Sequence, residues 1–353
     1  MVTDETPILA CSAAHRAVAL ALQPTESGGA PSEVAVWLAA AQPSVLAHPL
    51  QVAVGALAWR AAGLQELAVG CLGGVALWRL PAVVDPTRSG TAIVPGAGTL
   101  TWLPAPKALL AQTARVDALA WHPHGHLLAA ASSSVAGGFC VYDVARPEAT
   151  AIKVSSDPVT TLAWSPCGAY LLTGHGSGAL SLWETGTWTH AQWSFQGGRR
   201  SELGASPGGP QRVVAACWAP PSAPAPWRRA WPWRTRARPA QLTALHLVHE
   251  APSLEAQMVP VSLGSGGLDR PGLAIASMTW SACGRFIALG HADGAVRLFA
   301  ASCRPLLSAV LVETYRDETQ GRVPWALAGA ATAPSKELML ARASNDVLQL
   351  PVL

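Results

Sequence analysis

The chain has 353 residues, half of them hydrophobic, with 32 Gly and 29 Pro, so it can bury a large core and is rich in residues that end short strands. Charged residues make up only 13% and the formal net charge is +3, which favours neither an acidic nor a basic partner. Arginine far outnumbers lysine among the 24 basic residues, so a local Arg cluster carries less weight here than in an average composition.

The N-terminal MVTDETPILA carries Asp4 and Glu5 and lacks the basic start and apolar run of a secretory signal. No stretch reaches the roughly 18 apolar residues of a membrane helix. The seven cysteines are odd in number and form no close pair, which fits reduced thiols in a soluble intracellular protein better than a disulfide framework.

Within TLAWSPCGAYLLTGHGSGALSLWET, residues 161–185, three short apolar runs are separated by a Pro-Cys-Gly turn and a Gly-rich turn. They read as three strands, and Thr187 to Trp193 can supply a fourth. The plan recurs along the chain. AVALALQPTESGGAPSEVAVWL at 17–38 has Leu22 in the first Trp place and Trp37 in the second. ALAWRAAGLQELAVGCLGGVALWRL at 56–80 has Trp59 and Trp78, and ALAWHPHGHLLAAASSSVAGGFCVYDV at 118–144 has Trp121 and Tyr142. The 161–185 copy has Trp164 and Trp183, followed by Trp188 and Trp193, and SMTWSACGRFIALGHADGAVRLFA at 277–300 has Trp280 and Phe299. Weaker copies surround Trp218 and follow Trp325.

A four-stranded antiparallel sheet cannot bury both faces alone, so such units stack radially and close into a ring that protects their edges. The expectation is an all-β chain, 1–353, forming a single seven-bladed WD-repeat-type β-propeller. Its blades fall near 16–40, 52–80, 116–145, 159–195, 212–262, 274–300 and 322–352, with TPILAC pairing with the last blade. Steps of 62 residues, as from Trp59 to Trp121, exceed the usual blade period of about 40–45 and require insertions. Trp59, Trp78, Trp121, Tyr142, Trp164, Trp183, Trp188, Trp193, Trp280 and Phe299 are read as packing between blades, since a Trp buries about 150–250 Å².

Candidates for chemistry are few. His122, His124 and His126 crowd one short turn with no Cys or acid close by to complete a tetrahedral set, so no metal site is expected. His175 and His291 follow glycines at strand ends and read as turn residues. GSGG at 264–267 lacks the Gly-Lys-Ser/Thr that would cradle a phosphate. The expected first strands carry a single acid, Asp117, so no catalytic pair, cofactor or small-molecule substrate is expected. The one unusual stretch is APPSAPAPWRRAWPWRTRARP, 219–239, a Pro-, Arg- and Trp-rich insertion without an acid. Arg beside Trp suits stacking, cation–π contact or a lipid interface, which makes Trp227, Arg228, Arg229, Trp231, Trp233 and Arg234 the expected partner contacts.

Aligned in this way, the chain resembles the aladin family, WD-repeat proteins of the nuclear pore complex. The resemblance runs from about residue 15 to the C-terminus and is carried most by LWETGTWTHAQW after PVTTLAWSPCGAYLLTGHGSGAL, with RVVAACWAP following. The usual Trp-Asp pair is replaced by Trp78-Arg79, Tyr142-Asp143 and Trp183-Glu184. The resemblance implies a non-catalytic peripheral nucleoporin that supports nucleocytoplasmic transport. It also implies a location at the nuclear envelope, contacts with other nucleoporins including a membrane-embedded pore protein, and no specific nucleic acid. The alternative is a generic WD-repeat adaptor of a cytosolic or nuclear complex, such as a ligase substrate receptor or an RNA-processing subunit.

Overall fold

The computed structural model describes residues 8–12, 17–22, 31–38, 44–61, 65–80, 82–84, 91–93, 98–106, 114–135, 138–146, 148–153, 157–193, 213–219, 230–235, 242–247, 249–263, 275–281, 283–291, 294–302, 308–316, 326–329, 337–341 and 347–351. The first sheet is a meander of β1 (Leu9–Ser12), β2 (Ala17–Leu22), β3 (Glu33–Leu38) and β4 (Ser44–Leu46). The second joins β5 (Ala56–Trp59), β6 (Glu66–Cys71) and β7 (Gly74–Arg79) to β10 (Thr99–Pro104). Between β7 and β10 the chain makes a separate hairpin of β8 (Ala82–Val84) and β9 (Thr91–Ile93), which accounts for the long step from Trp59 to Trp121.

The third sheet contains β11 (Ala118–Trp121), β12 (Leu127–Ala131), β13 (Gly138–Asp143) and β14 (Glu148–Lys153). The fourth contains β15 (Val159–Trp164), β16 (Tyr170–His175), β17 (Leu180–Glu184) and β18 (Thr189–Trp193). The fifth contains β19 (Val213–Ala216), β20 (Ala230–Thr235), β21 (Leu242–Leu247) and β22 (Ala256–Pro260).

The chain is all-β, but the expected seven-bladed propeller is corrected to one of five blades: among the described residues five four-stranded sheets form, and the two later sheets have five and three strands. In the following sheet β24 (Ile275–Trp280), β25 (Phe286–His291), β26 (Ala295–Ser302) and β27 (Ser308–Arg316) are joined by a fifth strand, β23 (Ser262–Leu263), which pairs with β27 in parallel. Among the described residues the last sheet has three strands, β28 (Ala326–Gly329), β29 (Glu337–Ala341) and β30 (Val347–Pro351). The overcount has a simple cause. Aromatic spacing marks strands one at a time, whereas the number of strands in a sheet depends on which edges pair.

The inner strands β1, β5, β11, β15, β19, β24 and β28 lie successively side by side, and β28 also meets β1. Leu9–Ser12 therefore does not pair with a late sheet; it pairs with β2. Within the stretch 219–239, the described residues Ala230–Thr235 form β20, which is paired on both edges.

The middle strands are apolar without alternation, and all six residues of β6 and of β16 are buried. Each middle strand is covered on both faces because its sheet is sandwiched between two neighbours, so period-2 patterning disappears. Outer strands such as β14 recover partial alternation, with exposed Glu148 and Lys153 on the rim. The core is correspondingly divided into slabs between adjacent sheets. One holds Val34, Trp59 and Trp78, the next Trp121, Leu128 and Tyr142, and a third Phe139, Trp164 and Trp183.

Candidate functional site

The inner-strand tryptophans do more than fill space. The Trp59 indole N–H donates to the Ala10 carbonyl at 3.2 Å, Trp121 to Ala58 at 3.0 Å, Trp164 to Ala120 at 3.1 Å and Trp218 to Ala163 at 3.2 Å. Ala58, Ala120 and Ala163 each directly precede a ladder Trp, so the second to fifth sheets are each stapled to the one before by the same bond. The register puts Cys11, rather than Leu22, at the Trp position of the first sheet. A net contribution of about 1 kcal/mol per bond adds to the burial of the rings, of which Trp59, Trp121 and Trp164 are each less than a tenth exposed and Trp218 is partly buried. Because the donor is the indole nitrogen, Phe cannot replace it.

The remaining aromatics read as blade packing take varied places. Trp78 donates to Gln51 Oε1 at 2.8 Å, and the Gln51 amide in turn donates to the carbonyls of Ser32 and Leu46. Tyr142 is fully buried and its hydroxyl donates to the Pro104 carbonyl at 3.2 Å. Trp280 and Phe299 are buried in one cluster. Trp188 is half-buried with φ 55°, and its ring lies 6.1 Å from Trp164 and 6.3 Å from Phe139. Trp193 is half-buried at the edge of the cluster between the fourth and fifth sheets.

In the fourth sheet Trp183 donates to Thr173 Oγ1 at 3.3 Å, and His175 Nε2 joins Thr173 Oγ1 at 3.2 Å and Ser181 Oγ at 3.0 Å. His175 and His291 are fully buried at the ends of β16 and β25, which corrects their reading as turn residues. Burial holds the His175 pKa below its ordinary value, so the imidazole serves as a neutral hydrogen-bonding group. Glu184, in the usual Asp place, accepts from the backbone N–H groups of Gly186 and Thr187 and from the Thr187 hydroxyl. Those bonds lower its pKa and tie the β17–β18 turn.

The His122 ring is wedged edge-on against Trp164, 4.8 Å between centroids, and its Nδ1 accepts from the His124 N–H at 3.2 Å. Gly168, at φ 77°, lets the next turn approach, since a Cβ there would strike His122 Nε2. Burial, with the neighbouring His126 and His124, lowers the His122 pKa to about 4. The three imidazoles are thus close together, but His122 is spent on packing. No group of three or more potential metal ligands occurs among the described residues.

Two features escaped the reading of the sequence. Glu66 is 1% exposed and sits between two guanidinium groups, with Oε2 2.5 Å from Arg60 Nη1 and Oε1 2.7 Å from Arg79 Nη2. Arg60 also lies over the Trp121 ring. Asp117 and Asp157, ahead of their inner strands, clamp the turns after the second strands by accepting from Ser133 and Ser177. The recurring Asp–Ser separation of 16 and 20 residues was the available signal.

Of the expected contact residues, Trp227, Arg228 and Arg229 lie outside the described residues, as does GSGG at 264–267. Trp231, Trp233 and Arg234 fall on β20, opposite Leu245, Thr243 and Leu242 of β21.

The WD domain, G-beta repeat, matches residues 148–184, which run from β14 through β17. Aladin of Arabidopsis thaliana is 28% identical over 283 residues, covering 77% of this chain and 59% of that protein. The chain is an aladin-like WD-repeat protein. The matched part of Aladin is under two thirds of its length. A chain in a crystal structure of the mitotic checkpoint complex superposes with a TM-score of 0.62, over 98% of this aladin-like chain and 86% of the other, at 18% identity. That likeness concerns the fold.

Proposed function

We propose that the chain is a non-catalytic scaffold of the nuclear pore complex, a peripheral nucleoporin that supports nucleocytoplasmic transport through contacts with other pore proteins, one of them membrane-embedded. The observation that carries this reading is the likeness to Aladin over 77% of the chain. The indole ladder supports it physically, because a propeller whose sheets are stapled together holds its loops and rim as a fixed surface for several partners. Trp227, Arg228 and Arg229 are proposed as part of the contact, with Trp231, Trp233 and Arg234 positioned next to them in sequence.

Live imaging of the tagged chain tests the reading. A punctate nuclear rim is the expected result, and diffuse cytosolic or nucleoplasmic signal would overturn it. The contact segment is tested by the combined Trp227→Ala, Arg228→Ala and Arg229→Ala substitutions, which spare β20. Loss of the rim would support the contact, and full retention would remove it.

A further inference from the structure

At the end of the propeller where the inner strands begin, three stretches of backbone from the first three sheets are laced together. The Ser32 N–H donates to the Gln51 carbonyl, and the Leu72 N–H donates to the Val52 carbonyl at 2.9 Å. The Gly73 N–H donates to the Ala114 carbonyl at 3.0 Å, and the Val116 N–H to the Cys71 carbonyl at 3.1 Å. Gly55 and Gly70 permit this approach, since a Cβ on either would meet the Val116 carbonyl. Ala53, between these bonds, is held at φ 49°, a left-handed conformation that costs a non-glycine residue of the order of 1 kcal/mol and persists only where its surroundings enforce it.

This rigid platform presents an apolar surface that the corresponding turns of the third and fourth sheets lack. Leu72 stands in the turn after the second strand, where the third and fourth sheets carry Ser133 and Ser177, and it is 37% exposed. Leu50, 46% exposed, is two residues from Val52, whose carbonyl receives the Leu72 N–H. Arg115 is the bridge partner of Leu72 and lies at the same spot. Asp117 holds the Arg115 Nε at 2.6 Å, yet the Asp117 side chain is 14% exposed and that of Arg115 45%, so the guanidinium is the partner of this pair that faces outward. Asp117 is further occupied by Ser133.

We propose that this platform, Leu50, Leu72 and Arg115, is a docking site for an extended segment of a partner protein that offers an aliphatic side chain next to a carboxylate. The aliphatic group would cover the two leucines, and the carboxylate would meet the outer edge of the guanidinium, whose fork suits bidentate pairing. A preformed, hydrogen-bonded surface loses little conformational freedom on binding, which favours recognition of a flexible segment. The assignment rests on the scaffold reading and names the surface that such a scaffold uses.

The test is a display library of random dodecapeptides selected against the full chain, with individual winners measured by fluorescence polarisation. Winners are expected to carry Asp or Glu within two positions of Leu, Ile, Val or Met. Leu72→Ser and Arg115→Gln should each weaken them by roughly tenfold, while Val312→Lys on the distant β27 leaves them unchanged. Urea midpoints of the three variants identify any that fail to fold; Leu50→Ser then serves as the second apolar variant. No enrichment, winners without an acid, or affinities indifferent to Leu72→Ser and Arg115→Gln would overturn the assignment. So would sedimentation of the chain as a dimer that Leu72→Ser dissociates, which would give the surface to a second copy. If the peptides fail while the intact chain still marks the nuclear rim, the platform falls and the scaffold reading stands; if the peptides behave as expected without a rim, the reverse holds.

Discussion

Replacing Trp164 by Phe isolates the indole ladder from simple burial. The ring of Trp164 is 7% exposed, and its N–H donates to the Ala120 carbonyl at 3.1 Å. Phe retains much of the hydrophobic contact with His122 and Trp188 but has no donor. Loss of the bond leaves a buried carbonyl of the preceding sheet without its partner, at about 1–3 kcal/mol. The smaller ring adds a cavity term of about 1 kcal/mol. The expected destabilisation is therefore about 2–4 kcal/mol, read from the urea midpoint and slope followed by tryptophan fluorescence and circular dichroism. Trp188→Phe provides the comparison, because Trp188 is half-buried and stands outside the ladder, and it should lose less than about 1 kcal/mol. A Trp164→Phe chain within about 0.5 kcal/mol of the parent would refute the argument that the N–H staples hold neighbouring sheets together.

Glu66→Gln should destabilise by about 2–3 kcal/mol, because it leaves Arg60 mostly buried without its counter-charge. Arg79→Gln should cost less than about 1 kcal/mol, since Arg79 is 61% exposed; equal losses in chemical denaturation would contradict this ranking. His122 gives a pH dependence whose sign is fixed by its lowered pKa. The unfolded chain takes up the proton near pH 6.5 and the folded chain only near 4, so stability is level above about 6.5 and falls between 6.5 and 4. The loss is at most about 3 kcal/mol, with His175 acting in the same direction. His122→Asn should flatten part of the fall, and an unchanged slope of urea midpoint against pH would show that His122 is not responsible.

The repeated Trp spacing was sufficient to read an all-β propeller, because a large ring at one position of a short strand requires a neighbouring sheet to bury it. Trp59, Trp121, Trp164 and Trp280 therefore announced their inner strands from local sequence. Blade number was not local information. Whether a meander gains its outer strand depends on edge pairing: β10 reaches the second sheet only after the β8–β9 hairpin, while β23 joins β27 across more than forty residues of chain. The Arg/Trp stretch looked like a loop because Pro and Arg are poor strand signals, yet β19 and β21 on either side draw residues 230–235 into a strand. Composition suggested the residue types of a contact, but the exposed Leu72 beside Arg115 comes from residues 43 positions apart, joined by a backbone bridge. The sequence by itself determined which side chains need burial, since that follows from their chemistry. Only the tertiary structure decided which edges pair and which apolar side chains stay uncovered, because both depend on what segments distant in the chain bring alongside.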